Sequence, residues 1–271
     1  MENAQILDIG DGVALSVIDC GAGEPIVFIS GFAFSSDVFE HQIAPLAQKN
    51  RVLLVEPRSH GRSPHILEGN NYPQHGRDLD RLFTKLELQN INLVGWSFGA
   101  LSAWSYVACA GLDRVKKFIC IDCPPKILSI GEAQGDWVEA PLDEIATLYH
   151  QLLDFENYKS FISNYTQEIM LQRELQPQEA AHFLTAPLQT PLPIVRDLFV
   201  SGVFSNYLEL AKKIDKERAN LFFIAEHWSE IAVPYLQKHL PKAQIEVFGN
   251  HMMFWEYPER FNKIMQTFLA A

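Results

Sequence analysis

The 271-residue chain is 48% hydrophobic and carries 33 acidic against 22 basic residues, a net charge of −11. That apolar fraction is enough for one domain with an insertion or for two small ones, and the acidic balance argues against nucleic acid and anionic membrane surfaces as partners. No apolar run approaches the ~20 residues that span a bilayer, and Met1–Gln5 has neither the basic nor the apolar region of a secretion signal, so the expectation is a cytoplasmic chain with no membrane association.

In chain order, Gln5–Ile9 and Val13–Ile18 flank a Gly-Asp-Gly turn and read as a β-hairpin. Pro25–Ser30 reads as a buried strand, Asp37–Gln48 as a helix and Arg51–Glu56 as a further strand. Asp78, Leu79, Leu82, Phe83 and Leu86 recur at helical spacing. Ile91–Val94 is again strand-like, Phe98–Gly111 helical, and Val115–Ile121 a sixth strand. These runs are continuously apolar rather than alternating, which marks strands covered on both faces. After Pro124-Pro125 the alternation stops. Helical stretches are predicted at Leu142–Asp154, Tyr158–Leu171, Pro177–Leu184, Pro191–Leu198 and Tyr207–Ile214. Strands resume at Leu221–Ala225 and Ile245–Phe248, and Pro258–Leu269 places Phe261, Ile264, Met265 and Phe268 on one helical stripe. The predicted organisation is an α/β core over 1–125 and 221–271, with a helical cap over 126–220 inserted after the sixth strand. The sheet is mostly parallel, with helices on both faces.

Gly95-Trp96-Ser97-Phe98-Gly99 sits between a predicted strand and a predicted helix. Gly-x-Ser-x-Gly in that context is a nucleophile elbow: a tight turn that lifts the serine hydroxyl above the sheet and points the next N–H at a developing oxyanion. Ser97 needs a base, because a free serine is a weak nucleophile near neutral pH. Of the nine histidines, His251 alone follows the last predicted strand, and His60 in a Gly-containing loop is its rival. Cys120-x-x-Cys123 spans a strand and its following loop, whereas a redox pair would open a helix, so both read as buried free thiols. No phosphate-binding glycine loop and no zinc or other metal spacing is present, and no cofactor is expected.

With Ser30-Gly31-Phe32 after the third strand, the elbow at Ser97, Gly249-Asn250-His251 after the last strand and the loop Glu56-Pro57-Arg58-Ser59-His60-Gly61-Arg62-Ser63, the chain resembles the α/β-hydrolase fold superfamily. The nearest flavour is the small-esterase, non-haem-haloperoxidase-like and cofactor-independent dioxygenase branch. The resemblance implies a base at His251, a structural His60 and an oxyanion hole formed by the Phe32 and Phe98 N–H groups. It also implies a pocket near Ser30, Gly31, Phe34, Trp96 and Met252, and a small-molecule substrate of mostly apolar character. The acid departs from the common pattern. After the strand at Leu221–Ala225 the chain reads Glu226-His227-Trp228-Ser229-Glu230, with no Asp. The family's alternative acid position, one strand earlier, is Asp122. Asp122 is preferred, with Glu226 and Glu230 as alternatives.

Three readings follow. The first is a serine hydrolase cleaving an ester, lactone or related acyl bond. The second is a cofactor-independent dioxygenase acting on a heteroaromatic, with His251 as base; the acid after the sixth strand fits it, and Phe98 fits it poorly, because those enzymes resemble Gly-x-Ser-His-Gly. The third is a ligand-binding member with little turnover, against which the intact Ser, His and Gly set counts.

Overall fold

The apolar runs become the interior of one eight-stranded sheet in a computed structural model that describes residues 4–128, 137 and 142–271. Strands β1 (Ala4–Gly10) and β2 (Val13–Gly21) form the expected antiparallel hairpin, turned through Gly10, Asp11 and Gly12 at positive φ. β2 pairs antiparallel with β4 (Asn50–Glu56). β3 (Glu24–Ile29), β5 (Ile91–Trp96), β6 (Val115–Ile121), β7 (Ala219–Ile224) and β8 (Gln244–Val247) extend the sheet in parallel, in the order β1-β2-β4-β3-β5-β6-β7-β8. The reversal between β4 and β5, either side of β3, opens the C-terminal strand edge where ligands bind in such sheets.

Both faces are covered, which explains the unbroken apolar runs. Val27, Ile29, Leu53 and Leu93 pack on one side against α2 (Tyr72–Lys85) and α3 (Phe98–Ala110). Ile26, Phe28, Val52, Leu54 and Val94 pack on the other against α1 (Glu40–Leu46) and the C-terminal α10 (Pro258–Ala270). α2 begins at Tyr72, earlier than the apolar periodicity suggested. Its signals are an N-cap and a proline: Asn71 accepts from the Gln74 N–H at 2.9 Å, and Pro73 lies in the first turn. α1 is shorter than Asp37–Gln48, because Ser36–Phe39 form a 3₁₀ turn first.

Buried charges are paired. Arg58 donates from Nε and Nη2 to both oxygens of Asp78 at 2.8 and 3.0 Å, tying the loop after β4 to α2. Glu56 accepts from the Ser36 N–H, the Ser36 hydroxyl and Arg62. Lys117 of β6 donates to the Phe268 and Leu269 carbonyls at 2.6 and 3.1 Å, a cation at the C-terminus of α10.

Between β6 and β7 lie α4 (Leu142–Gln151), α5 (Phe155–Tyr165), α6 (Leu192–Val203) and α7 (Leu208–Glu217). The stretch expected as one helix over Tyr158–Leu171 changes character instead. α5 stops at Tyr165 and a π-helical turn, Thr166–Met170, follows. Pro177–Leu184 is likewise a 3₁₀ turn and a π turn rather than a helix. α7 packs on α3 and β7, so the chain is back on the sheet before β7 begins. α8 (Ser229–His239) went unanticipated, because Pro234 interrupts its pattern, although it buries Ala232, Tyr235 and Leu236. A short α9 (Met253–Glu256) precedes α10. Among the described residues no helix is long and apolar enough to cross a membrane.

Candidate active site

Ser97 continues the ladder one residue past β5, its N–H donating to the Ile121 carbonyl at 2.8 Å, and then turns sharply at φ 51° and ψ −135°. Such a conformation costs of order 1–3 kcal/mol for a residue with a side chain. It is held by close packing on both sides. A Cβ on Gly95 would collide with the Ala100 backbone, and one on Gly99 with the Ile29 and Ser30 carbonyls of the neighbouring strand. Ala33, Ser59, Ser97 and Asp122, at φ 61°, 62°, 51° and 49°, follow β3, β4, β5 and β6 in turn. Four non-glycine residues at positive φ therefore lie on one sheet edge.

β5 and β6 pair with Trp96 opposite Ile121, so Ser97 and Asp122 leave adjacent strands side by side. Asp122 donates its N–H to Phe223 of β7 at 2.8 Å and accepts the Ala225 N–H on Oδ1 at 3.0 Å. Its other oxygen, Oδ2, lies 2.6 Å from His251 Nδ1, with both side chains buried. A carboxylate accepts only, so Nδ1 carries the proton and the neutral ring has its lone pair on Nε2. Nε2 is buried and has no hydrogen-bond partner. Trp96 Nε1 donates to the His251 carbonyl at 2.9 Å and fixes the loop from below. Glu226 and Glu230 are exposed. Glu226 accepts from Gln172 Nε2 at 2.9 Å and does not meet the histidine.

Phe98 opens α3, where the first N–H groups of a helix have no intrahelical acceptor. Phe32 lies in the turn closed by the Phe34 N–H donating to the Gly31 carbonyl at 3.1 Å. Ser97, Phe32 and Phe98 are half-buried, whereas Gly31, Ala33 and Asp122 beside them are closed off. Phe32 meets Phe98 and Phe199 at ring separations of 5.7 and 6.5 Å, and Tyr72 meets Phe98 at 5.8 Å. The surface beside Ser97 is therefore aromatic. Ser30, Gly31, Phe34, Trp96 and Met252 are buried beneath it. The Ser30 hydroxyl donates to the Phe34 carbonyl at 2.9 Å, and Phe34, Trp96 and Met252 belong to the core under the α1 and α10 face.

A strap that the sequence barely foreshadowed crosses the histidine loop. The His251 and Met252 N–H groups donate to the Ile169 and Met170 carbonyls at 3.2 and 3.0 Å. Asn250 Nδ2 donates to the Leu171 carbonyl at 3.1 Å, and the Gln172 N–H donates to Glu256 at 2.8 Å. The π-helical turn delivers these carbonyls, and π-turns inside helices recur at functional sites. Its only foreshadowing in the sequence was an amphipathic stretch running on past Tyr165.

His60 and His75 form a second buried pair, with rings 5.5 Å apart. His60 Nδ1 donates to the Arg58 carbonyl at 2.9 Å, and His75 Nδ1 lies 3.0 Å from the Ser102 hydroxyl. Burial lowers the pKa of both from the ordinary 6.5, that of His75 strongly, with Arg58 and His60 adding to the effect on His75; Glu56 opposes the shift of His60. Each therefore takes up its proton at a lower pH in the folded chain than in the unfolded chain, which does so below about pH 6.5. Stability is thus full above that pH and falls below it, by up to about 1.4 kcal/mol per pH unit for each histidine. Urea midpoints at pH 7.5 and 5.5 test this: His75→Gln is expected to be less stable overall yet to show a shallower acid loss, and an unaltered slope would refute the buried-neutral account. Cys120 and Cys123 are free and buried, and burial pushes both thiols up, as expected of inert cysteines rather than a redox pair.

Among solved structures, the chain is similar to a bromoperoxidase from Bacillus anthracis, with a TM-score of 0.88, 20% identity and coverage of 99% of this chain and 100% of that one. It is similar also to an esterase from Exiguobacterium antarcticum, with a TM-score of 0.87, 20% identity and coverage of 98% and 99%. By sequence it is 37% identical over 116 residues to a putative non-heme chloroperoxidase of a Synechocystis strain, 42% of each chain. The matched stretches span less than half the length of this and the other haloperoxidase relatives. Over 98% of both chains it is 24% identical to a putative 2-succinyl-6-hydroxy-2,4-cyclohexadiene-1-carboxylate synthase of Bacillus subtilis. The family model described as the α/β-hydrolase fold matches residues 24–217, and with the sheet order, the elbow at Ser97 and the histidine after β8 already in place, the chain belongs to the α/β-hydrolase fold family.

Proposed function

We propose that this protein is a serine hydrolase that cleaves an ester, lactone or related acyl bond in a mostly apolar small molecule. The observation that carries the reading is the buried His251–Asp122 pair, with an unpartnered Nε2, on the same sheet edge as the strained Ser97. In this reading Nε2 takes the proton as Ser97 Oγ attacks the acyl carbon, and Asp122 holds the tautomer and stabilises the imidazolium. The Phe32 and Phe98 N–H groups receive the oxyanion. His251 then protonates the leaving group, and water repeats the sequence on the acyl-enzyme. The aromatic surface of Phe32, Phe98 and Phe199 suits an apolar acyl group. Of the helices between β6 and β7, α4 to α6 act as the cap that closes over it, α7 being packed on the sheet.

A second reading, cofactor-free oxygenation of a heteroaromatic, is favoured by one feature, the position of the acid after β6. There His251 deprotonates the organic substrate and Ser97 only hydrogen-bonds it. Intact mass spectrometry after treatment with a fluorophosphonate separates the two when run beside oxygen uptake with candidate heteroaromatics. A single adduct on Ser97 that is absent in His251→Ala is the expected result. No adduct together with substrate-dependent oxygen uptake would transfer the assignment to the second reading.

A further inference from the structure

We propose that Tyr165 is a specificity-determining contact of this site, its hydroxyl donating a hydrogen bond to a polar atom on the leaving half of the substrate. The proposal rests on the hydrolase reading. Tyr165 is the last residue of α5, and its ring stands edge-on to His251 at 5.9 Å and 78°. Stacking on Phe161 at 5.7 Å and 22° holds it there. The strap that starts at the next residue hydrogen-bonds the His251 backbone, so tyrosine and histidine are carried by one bonded unit.

Three other tyrosine hydroxyls are bonded within the chain, whereas that of Tyr72 is buried without a partner among the described residues. Tyr158 donates to the Pro187 carbonyl at 3.1 Å, Tyr257 donates to Gln172 at 2.6 Å, and the Tyr207 and Ser105 hydroxyls meet at 2.5 Å. Among the described residues the Tyr165 side chain has the two ring contacts and no hydrogen bond. It remains half-buried, between the exposed Asn164 and the buried Thr166. A tyrosine at a polar site ordinarily finds a partner for its O–H. Burial, with Asp122 and Cys123 adding to it, pushes this phenol well above its usual value, so it stays a neutral donor.

The side of the site follows from the chemistry. The leaving group must reach Nε2 of His251, because that nitrogen hands it a proton, while the oxyanion lies at Phe32 and Phe98. A donor set against the His251 ring therefore meets the alcohol half of an ester rather than the acyl half.

Two isosteric pairs of esters test this. Butyl and 2-methoxyethyl butyrate differ by one ether oxygen in the leaving half; ethyl hexanoate and ethyl 4-methoxybutanoate differ by one in the acyl half. In Tyr165→Phe the kcat/KM ratio of 2-methoxyethyl to butyl ester is expected to fall about 3- to 10-fold, the worth of one neutral hydrogen bond. The acyl-half ratio should not move, and the melting temperature should hold, because the lost hydroxyl bonds nothing in the protein. An unchanged leaving-half ratio, equal losses on both members of that pair, or a change confined to the acyl-half pair would overturn the assignment. Failure of the wild-type chain to hydrolyse any ester and to accept a fluorophosphonate on Ser97 would instead overturn the hydrolase reading beneath it.

Discussion

Replacing Ser97 or His251 by alanine is expected to lower the turnover of a short aryl ester by about 10³-fold or more, because members of such a set act as a unit. The double variant should be scarcely worse than either single one for the same reason. Ser97→Ala relieves no packing conflict, since the constraints on the elbow act at Gly95 and Gly99 and on the backbone of Ser97 itself. The loss should therefore appear in kcat with the fold intact. His251→Ala empties a buried position beside Asp122 and leaves that carboxylate without its ring partner, so its melting temperature must be measured alongside. Near-normal ester turnover by Ser97→Ala would remove the hydrolase reading. Oxygen-dependent loss of a heteroaromatic that survives in Ser97→Ala but not in His251→Ala would establish the alternative.

Asp122→Asn is expected to fold and to lose about 10²–10⁴-fold in rate. The structure supplies the reason in atomic detail. Oδ1 accepts the Ala225 N–H at 3.0 Å, and only Oδ2 faces His251 Nδ1. An asparagine keeps its single oxygen on the Ala225 N–H, because a buried N–H left without an acceptor is costly. Its amide NH₂ then points at Nδ1, which must become an acceptor, and the ring proton moves to Nε2. That tautomer cannot take the Ser97 proton, and no negative charge remains to stabilise the imidazolium. Glu226→Gln should change the rate by no more than about twofold, as for a surface substitution, since Glu226 is exposed and its partner is Gln172. Full activity in Asp122→Asn together with a large loss in Glu226→Gln would reverse the assignment.

The legible parts of this chain are those decided by neighbours in sequence. Gly95 and Gly99 identify the elbow because the turn's own backbone, with one adjacent strand, leaves no room for a Cβ at either position. The strands are legible because a sheet covered on both faces needs apolar residues without alternation, and the hairpin because Gly10, Asp11 and Gly12 tolerate positive φ. His251 is legible from its place after the last strand. Which of Asp122, Glu226 and Glu230 would lie against His251 was beyond local pattern. The register of β6 on β7 sets Asp122 over the start of the next loop and beneath a histidine 129 residues away. The break of α5 into a π-turn, and the strap that carries the His251 and Met252 N–H groups, are likewise tertiary. Those bonds join main-chain atoms of distant segments, and a main-chain donor or acceptor leaves no mark on the identity of the residue that bears it.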